Sequence, residues 1–277
     1  MQYYFHLLLL NFSFLTYIID PKDVVFMIKM LSIGNSFSNN AQQWLHKMCE
    51  SCGIENQTVN LYIGGCSLER HFNNIQSGEA AYDLEKNGSS TGIKADIKNT
   101  LLSENWDVIT LQQASDKSGL FDTYTPYITD IAEYVHKLCP TAKIVIHQTW
   151  AYETDSSHGA YGNYDHSQKK MYNMLCDCYQ KASKLIGAEI IPCGDMIQYI
   201  RENVPEFDYL NGGLTLNIED GFHLNHLYGC YIAGAVFLER VFGGNILDCT
   251  FIPYEGDVSA DEKLIDILKN EIHKFLN

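Results

Sequence analysis

From Met27 onward the chain alternates short apolar runs with longer amphipathic stretches, and this rhythm constrains the fold more than any other feature. Residues 26–33 read as a buried strand that stops at Gly34-Asn35-Ser36. Further strands are expected at 58–63, 106–111, 143–147 and 189–191. Helical patterns fall at 40–52, 97–102, 126–138, 171–186, 228–241 and 261–276. Strands spaced by helices pair in parallel through right-handed crossovers. The expected class is therefore α/β, a three-layer α/β/α sandwich on a five-stranded parallel sheet. Ligands of such sheets sit at the carboxyl ends of the strands, and each polar cluster of this sequence falls at one of those ends.

No repeat or low-complexity linker divides the chain, so residues 27–277 are read as one domain. The segment 150–168, rich in Tyr, His, Gly and Ser, is expected to pass over the site as an excursion of that domain. Residues 1–26 are read as an apolar extension outside the fold. The stretch 3–19 is short for a membrane span, lacks a preceding Lys or Arg, and ends at Asp20-Pro21-Lys22-Asp23. It is expected to be a signal-like segment, which would make the protein secreted, or a misassigned start upstream of Met27 or Met30. The reading adopted is a cytoplasmic protein without a stable membrane span.

Charge narrows the partners. A net charge of −15, with no cluster of Lys and Arg to offset it, repels a phosphate backbone, so nucleic acid is excluded. A neutral or cationic small molecule suits this field better. The nine cysteines include Cys49/Cys52 and Cys176/Cys178. Neither pair has a matching ligand cluster nearby, so they are read as reduced, mostly buried thiols and not as a zinc or redox site. His158, His166 and His226 lack ligand spacing as well; no metal and no cofactor is expected.

Ser36 follows the first strand at a sharp turn into a helix. A serine there is either a helix cap or a nucleophile with backbone N–H groups beside it. Asp220-Gly221-Phe222-His223 supplies what a nucleophile needs. A hydroxyl is a weak nucleophile at neutral pH without a base, histidine titrates near the working pH, and a carboxylate fixes its tautomer. The competing reading makes Asp220 the cap of the 228–241 helix, with an exposed His223. Gly64-Gly65 after the second strand lets a backbone N–H approach a ligand. Leu111-Gln112-Gln113-Ala114-Ser115 places amide side chains at the neighbouring strand end.

Taken in order, Gly34-Asn35-Ser36-Phe37-Ser38, Gly64-Gly65, a polar amide after strand three and Asp220-x-x-His223 resemble the SGNH (GDSL-like) hydrolase superfamily. Ile33 to Ser38, Gly64-Gly65-Cys66-Ser67-Leu68-Glu69-Arg70-His71, Trp106 to Ser115 and Thr149-Trp150-Ala151-Tyr152 are more closely similar to its DUF4886-type branch. The resemblance runs from about Met30 to Val241. It implies a flavodoxin-like sheet and hydrolysis of short carboxylic esters, often acetyl groups on carbohydrates. On this reading Ser36 is the nucleophile, His223 the base and Asp220 its orienting acid. Ser36 Oγ and His223 Nε2 should then lie within ~2.6–3.2 Å, or farther apart in an empty site. The Ser36 and Gly65 N–H groups and one amide would bind the oxyanion. Family members carry Gly-x-Asn-Asp at the third strand end, where this chain has Gln112-Gln113. Gln112 is the expected donor, with Gln113 and Ser115 as alternatives.

Asn35, His71, Trp150 and Tyr152 complete the implied substrate site, Trp150, Tyr152 and Tyr161 offering ring faces to a sugar; His71 and His147 suit its walls. Two rival functions remain: a lipase- or thioesterase-like acyl hydrolase, and a carbohydrate-binding protein that has lost turnover. An apolar pocket beneath the 150–168 excursion would mark the first, and the paired glutamines motivate the second.

Overall fold

The computed structural model describes residues 27–277; the reading of 1–26 as an extension lies outside them. Seven strands form the main sheet, in the order β4-β3-β2-β1-β5-β6-β7. Five of them are parallel: β1 (Ile28–Gly34), β2 (Asn56–Tyr62), β5 (Val108–Leu111), β6 (Lys143–His147) and β7 (Glu189–Ile191). These are the five expected strands, in the flavodoxin-like arrangement, with β1 between the second and third strands of the set.

The other two correct the expected count. β3 (Tyr82–Lys86) and β4 (Ser89–Ala95) form an antiparallel hairpin that extends the sheet beyond β2. Its two-residue turn is Asn87-Gly88, with φ of 51° and 76°. This is the left-handed pairing that suits a tight hairpin. β4 is exposed along most of its length, and the register shifts between Leu84 and Glu85.

The helices fall into two packed groups, as crossovers leaving β1 in opposite directions require. One group contains α1 (Ser36–Gln42), α2 (Leu45–Ser51), α7 (Cys193–Asn203), α8 (Gly229–Arg240) and α9 (Glu262–Leu276). The other contains α3 (Leu68–Ser77), α4 (Ile97–Leu102), α5 (Tyr127–Leu138) and α6 (Gln168–Ile186). α8 is buried from Gly229 through Leu238, so it is apolar all round and forms the centre of its layer. The expected 40–52 helix is two helices, parted at Gln43 and Trp44. There the Trp44 indole N–H donates to the His226 carbonyl at 2.7 Å and the ring packs on Phe251 and Tyr254.

All nine cysteines are free, with Cys52 and Cys176 half-buried and the others buried. Among the described residues no three His, Cys, Asp or Glu side chains are placed to hold a metal ion, and no helix is long and apolar enough to cross a membrane.

Candidate active site

The β1–α1 turn is fixed by its own side chains. Asn35, not Ser36, is the helix cap: Asn35 Oδ1 accepts from the Phe37 N–H at 2.9 Å, and Ser38 Oγ accepts from the Asn35 N–H at 3.0 Å. Ser36 is thereby left free of capping as the first helical residue. It is half-buried, and its N–H belongs to the first-turn donors that a helix cannot pair internally. Gly34 is required by space, since a Cβ there would stand 2.0 Å from Ser38 Oγ.

Asn35 also reaches the two neighbouring strand ends. Its Nδ2 donates to the Cys66 carbonyl at 3.1 Å, which draws the Gly64-Gly65 turn against the start of α1. Its Oδ1 receives a second hydrogen bond, from Gln112 Nε2 at 2.7 Å. Gln112 Oε1 in turn lies 2.7 Å from His147 Nδ1 at the end of β6. Four successive strand ends, those of β2, β1, β5 and β6, are thus tied through one buried amide chain. Gly65 is exposed, and its N–H has no hydrogen-bond acceptor among the described residues.

The other two candidates for the amide donor are engaged elsewhere. Gln113 Oε1 accepts from the N–H groups of Leu68 and Ala114, at 3.0 and 2.8 Å. Its Nε2 donates to both the carbonyl and the hydroxyl of Thr123. Ser115 Oγ is paired with the Tyr152 hydroxyl at 2.9 Å.

Asp220 and His223 lie on a loop ahead of α8 and not at its cap. The N–H groups of Tyr228 and Gly229 are taken by Asn225 Oδ1 instead. Asp220 Oδ1 accepts from the Phe222 and His223 N–H groups, each at 2.9 Å, and Oδ2 lies 2.7 Å from His223 Nδ1. One carboxylate therefore closes the turn and holds the imidazole. Gly221 makes this turn at φ +72°, against a neighbour so close that a Cβ would meet Ser156 Cα at 2.7 Å.

The loop is brought to α1 by contacts on both sides. Asn40 Oδ1 accepts from the Leu224 N–H at 3.0 Å, and the Phe37 ring lies 6.0 Å from the His223 ring. His223 Nε2 is buried with no hydrogen-bond partner among the described residues. The direct Ser36–His223 hydrogen bond expected from the sequence is therefore not formed in this structure.

Behind the loop stands a clamp that the sequence reading missed. Arg201 Nη2 donates to Asn217 Oδ1 at 2.7 Å, and Asn217 Nδ2 donates to the His223 carbonyl at 3.1 Å. Arg201 Nη1 donates to the Ala151 carbonyl at 3.0 Å, and its Nε faces Glu153 Oε2 at 3.4 Å. The Glu153 N–H donates to the Gly221 carbonyl at 2.6 Å. Trp150 Nε1 and Ser156 Oγ bond the carbonyls of Phe222 and Asp220. An arginine at 201 inside an otherwise amphipathic segment was the available signal.

The residues expected to touch substrate sit deeper than that role suggests. Asn35, His71, Trp150 and Tyr152 are all fully buried. Trp150 stacks on Phe37 with centroids 4.3 Å apart, and His71 Nδ1 lies 2.9 Å from the Tyr82 hydroxyl. Burial pushes the imidazoles of His71 and His147 down to about 3, so both rings are neutral. With Tyr161 and Tyr164, Trp150 and Tyr152 fill the space beneath the 150–168 excursion. A cavity of about 570 Å³ opens beside the clamp, lined by Glu153, Gln168, Arg201, Asp208, Tyr209 and Leu210 among others, and not by Ser36, Asp220 or His223.

A parallel sheet in this order, with a serine turn, a glycine turn, an amide and an Asp-x-x-His loop at its carboxyl edge, has the SGNH hydrolase fold. A family profile, "Domain of unknown function (DUF4886)", matches residues 29–273, and the chain belongs to that family. The crystal structure of a DUF4886 family protein from Bacteroides uniformis ATCC 8492 is similar at 34% identity and a TM-score of 0.80. That match covers 91% of this chain and 95% of the other. A candidate SGNH hydrolase from Slackia heliotrinireducens matches at 20% identity and a TM-score of 0.53, over 77% of this chain and 98% of its own. The lipase/acylhydrolase from Enterococcus faecalis matches at 13% identity and 0.50, over 78% and 96%. Among curated proteins none matches the chain.

Proposed function

We propose that the protein is a serine esterase that removes short acyl groups, acetyl above all, from a carbohydrate or similar polar alcohol. The observation that carries this reading is the 2.7 Å Asp220–His223 pair, whose Nε2 has no partner among the described residues and whose ring lies 6.0 Å from that of Phe37, the residue after Ser36. Ser36 Oγ attacks the ester carbonyl and gives its proton to His223 Nε2, while the carbonyl π pair moves onto oxygen. The N–H groups of Ser36 and Gly65 and one N–H of Gln112 receive that oxyanion. Collapse of the tetrahedral adduct expels the alcohol, protonated by His223. Water activated by the same imidazole then releases the acid from the acyl-enzyme. The lipase/acylhydrolase from Enterococcus faecalis that shares the fold supports acyl hydrolysis as the reaction class.

One feature favours a short acyl group over a lipid chain. Trp150, Tyr152, Tyr161 and Tyr164 occupy the space under the excursion where a long acyl chain would lie.

Hydrolysis of p-nitrophenyl acetate, together with labelling by a fluorophosphonate, tests the reading. The wild-type protein should turn over the ester and be labelled at Ser36. Ser36→Ala and His223→Ala should lose activity by about 10⁴-fold or more, and His223→Ala should also lose labelling. Folded wild-type protein with an inert Ser36 would sink the proposal in favour of a binding role.

A further inference from the structure

We propose that His147 is a positioning residue for this reaction: its Nδ1–H holds the Gln112 amide so that the remaining Gln112 Nε2–H faces the oxyanion. This rests on the esterase reading above.

The orientation of the amide chain is dictated by backbone groups that have only one hydrogen-bonding role. The Phe37 N–H only donates and the Cys66 carbonyl only accepts. Asn35 lies between them, with Oδ1 2.9 Å from the first and Nδ2 3.1 Å from the second, so its amide cannot be flipped. Because Oδ1 is what Asn35 turns toward Gln112, the atom of Gln112 at 2.7 Å must be the donating Nε2. Gln112 Oε1 then faces His147, and a carbonyl oxygen only accepts, so the proton of the imidazole sits on Nδ1. Each step follows from the one before, beginning at the main chain.

Two consequences single out His147. First, Gln112 Nε2 has two hydrogens, and only one is used, by Asn35. The second is free, whereas both N–H groups of Gln113 are committed to Thr123. Leu111 pairs with Ile33 across the sheet, so Gln112 lies level with Gly34, two residues before Ser36. Second, His147 is fully buried and its Nε2 has no partner among the described residues. Its ring packs on Phe237 at 5.0 Å and faces Trp150 at 6.2 Å, contacts that a phenyl ring would make without stranding a nitrogen. Packing does not call for an imidazole here; the single Nδ1–H donation does. Burial keeps the ring neutral, its pKa pushed down to about 3, so the same tautomer persists through the working pH range.

The experiment compares His147→Phe, which keeps a ring without a donor, with His147→Asn, whose amide can return an N–H near the Nδ1 position. Gln112→Leu and the Gln112→Leu/His147→Phe double variant complete a cycle. The expected result for His147→Phe is a fall in kcat of ~10–100-fold on p-nitrophenyl acetate at nearly unchanged KM, since a misaligned donor costs less than the 10²–10³ of a deleted one. His147→Asn should restore most of the loss, and the double variant should be no slower than Gln112→Leu alone. Wild-type kcat in His147→Phe, or losses that multiply in the double variant, would overturn the assignment. ¹⁵N NMR of the wild-type imidazoles needs no variant: His147 protonated at Nδ1 supports the relay, and protonation at Nε2 refutes it even if His147→Phe fails to fold. A wild-type protein inert to ester and fluorophosphonate would sink the esterase reading and this role together. An active wild type with an insensitive His147 sinks this role alone.

Discussion

The two halves of the candidate site are held in opposite ways. The serine turn is built into the core: Asn35 is buried, its side-chain amide spans neighbouring strand ends, and the cap, the glycine and the serine lie within five residues. The base loop stands about a quarter exposed at Asp220 and His223, and its anchors come from elsewhere in the chain. Asn40 lies 184 residues from Leu224, and Ser156 lies 64 from Asp220. One half is thus positioned by local geometry and the other by convergence of distant segments.

The comparison is broken most severely at the base. Asp220→Asn keeps an oxygen for the Phe222 and His223 N–H groups, so the turn should survive, but an N–H set against Nδ1 imposes the wrong tautomer. The expected loss in kcat is ~10⁴-fold, measured on p-nitrophenyl acetate, with a thermal midpoint close to that of wild type. Arg201→Leu attacks the anchor of the same loop. It strands the Glu153 carboxylate in a buried site and should cost about 3–5 kcal/mol in urea unfolding; adding Glu153→Gln should recover part of that.

On the serine side, Asn35→Ala removes the helix cap and leaves the Cys66 carbonyl and Gln112 Nε2 without their partner. A loss of about 2–4 kcal/mol is expected, together with activity. Acid should also act on this side first. Burial pushes the His71 and His147 imidazoles down to about 3 from the 6.5 of a free histidine. The unfolded chain therefore binds more protons between those limits, and stability present above pH 6.5 drains away as pH falls toward 3. At pH 5 the loss is ~2 kcal/mol per histidine. Denaturation midpoints at pH 7 and 5 should show it, with roughly half the drop removed in His147→Phe.

What could be read in the sequence follows the same division. The five parallel strands are short runs with buried apolar residues at their centres or carboxyl ends, and all five lie close to where the pattern put them. The hairpin escaped because β4 is solvent-facing and carries no apolar alternation, although Asn87-Gly88 announced a tight turn. α3 escaped for a related reason. It fully buries only Leu68 and His71, with Phe72 and Ile75 half-buried against the core, so its apolar stripe is short and its other signs are the Ser67 cap and the Gly78 stop. Within the site, Ser36, Asp220 and His223 were legible as residue types at telling spacings. The engagement of Gln113 with Thr123, the burial of Trp150 and Tyr152, and the Arg201 clamp were not, because each depends on which distant segments meet.

The hairpin carries a final consequence, for how copies of the chain meet one another. Among the described residues β4 ends the sheet, so one side of its backbone is without a partner strand, the kind of edge that templates edge-to-edge association. Here the template is spoiled: the register shift at Leu84/Glu85 bends the ribbon, Gly92 turns at φ +71° within the strand, and Lys94 adds a charge. A regular, apolar edge in the same place would invite fibrous stacking at high concentration. This irregular one keeps the open side of the sheet from recruiting another strand.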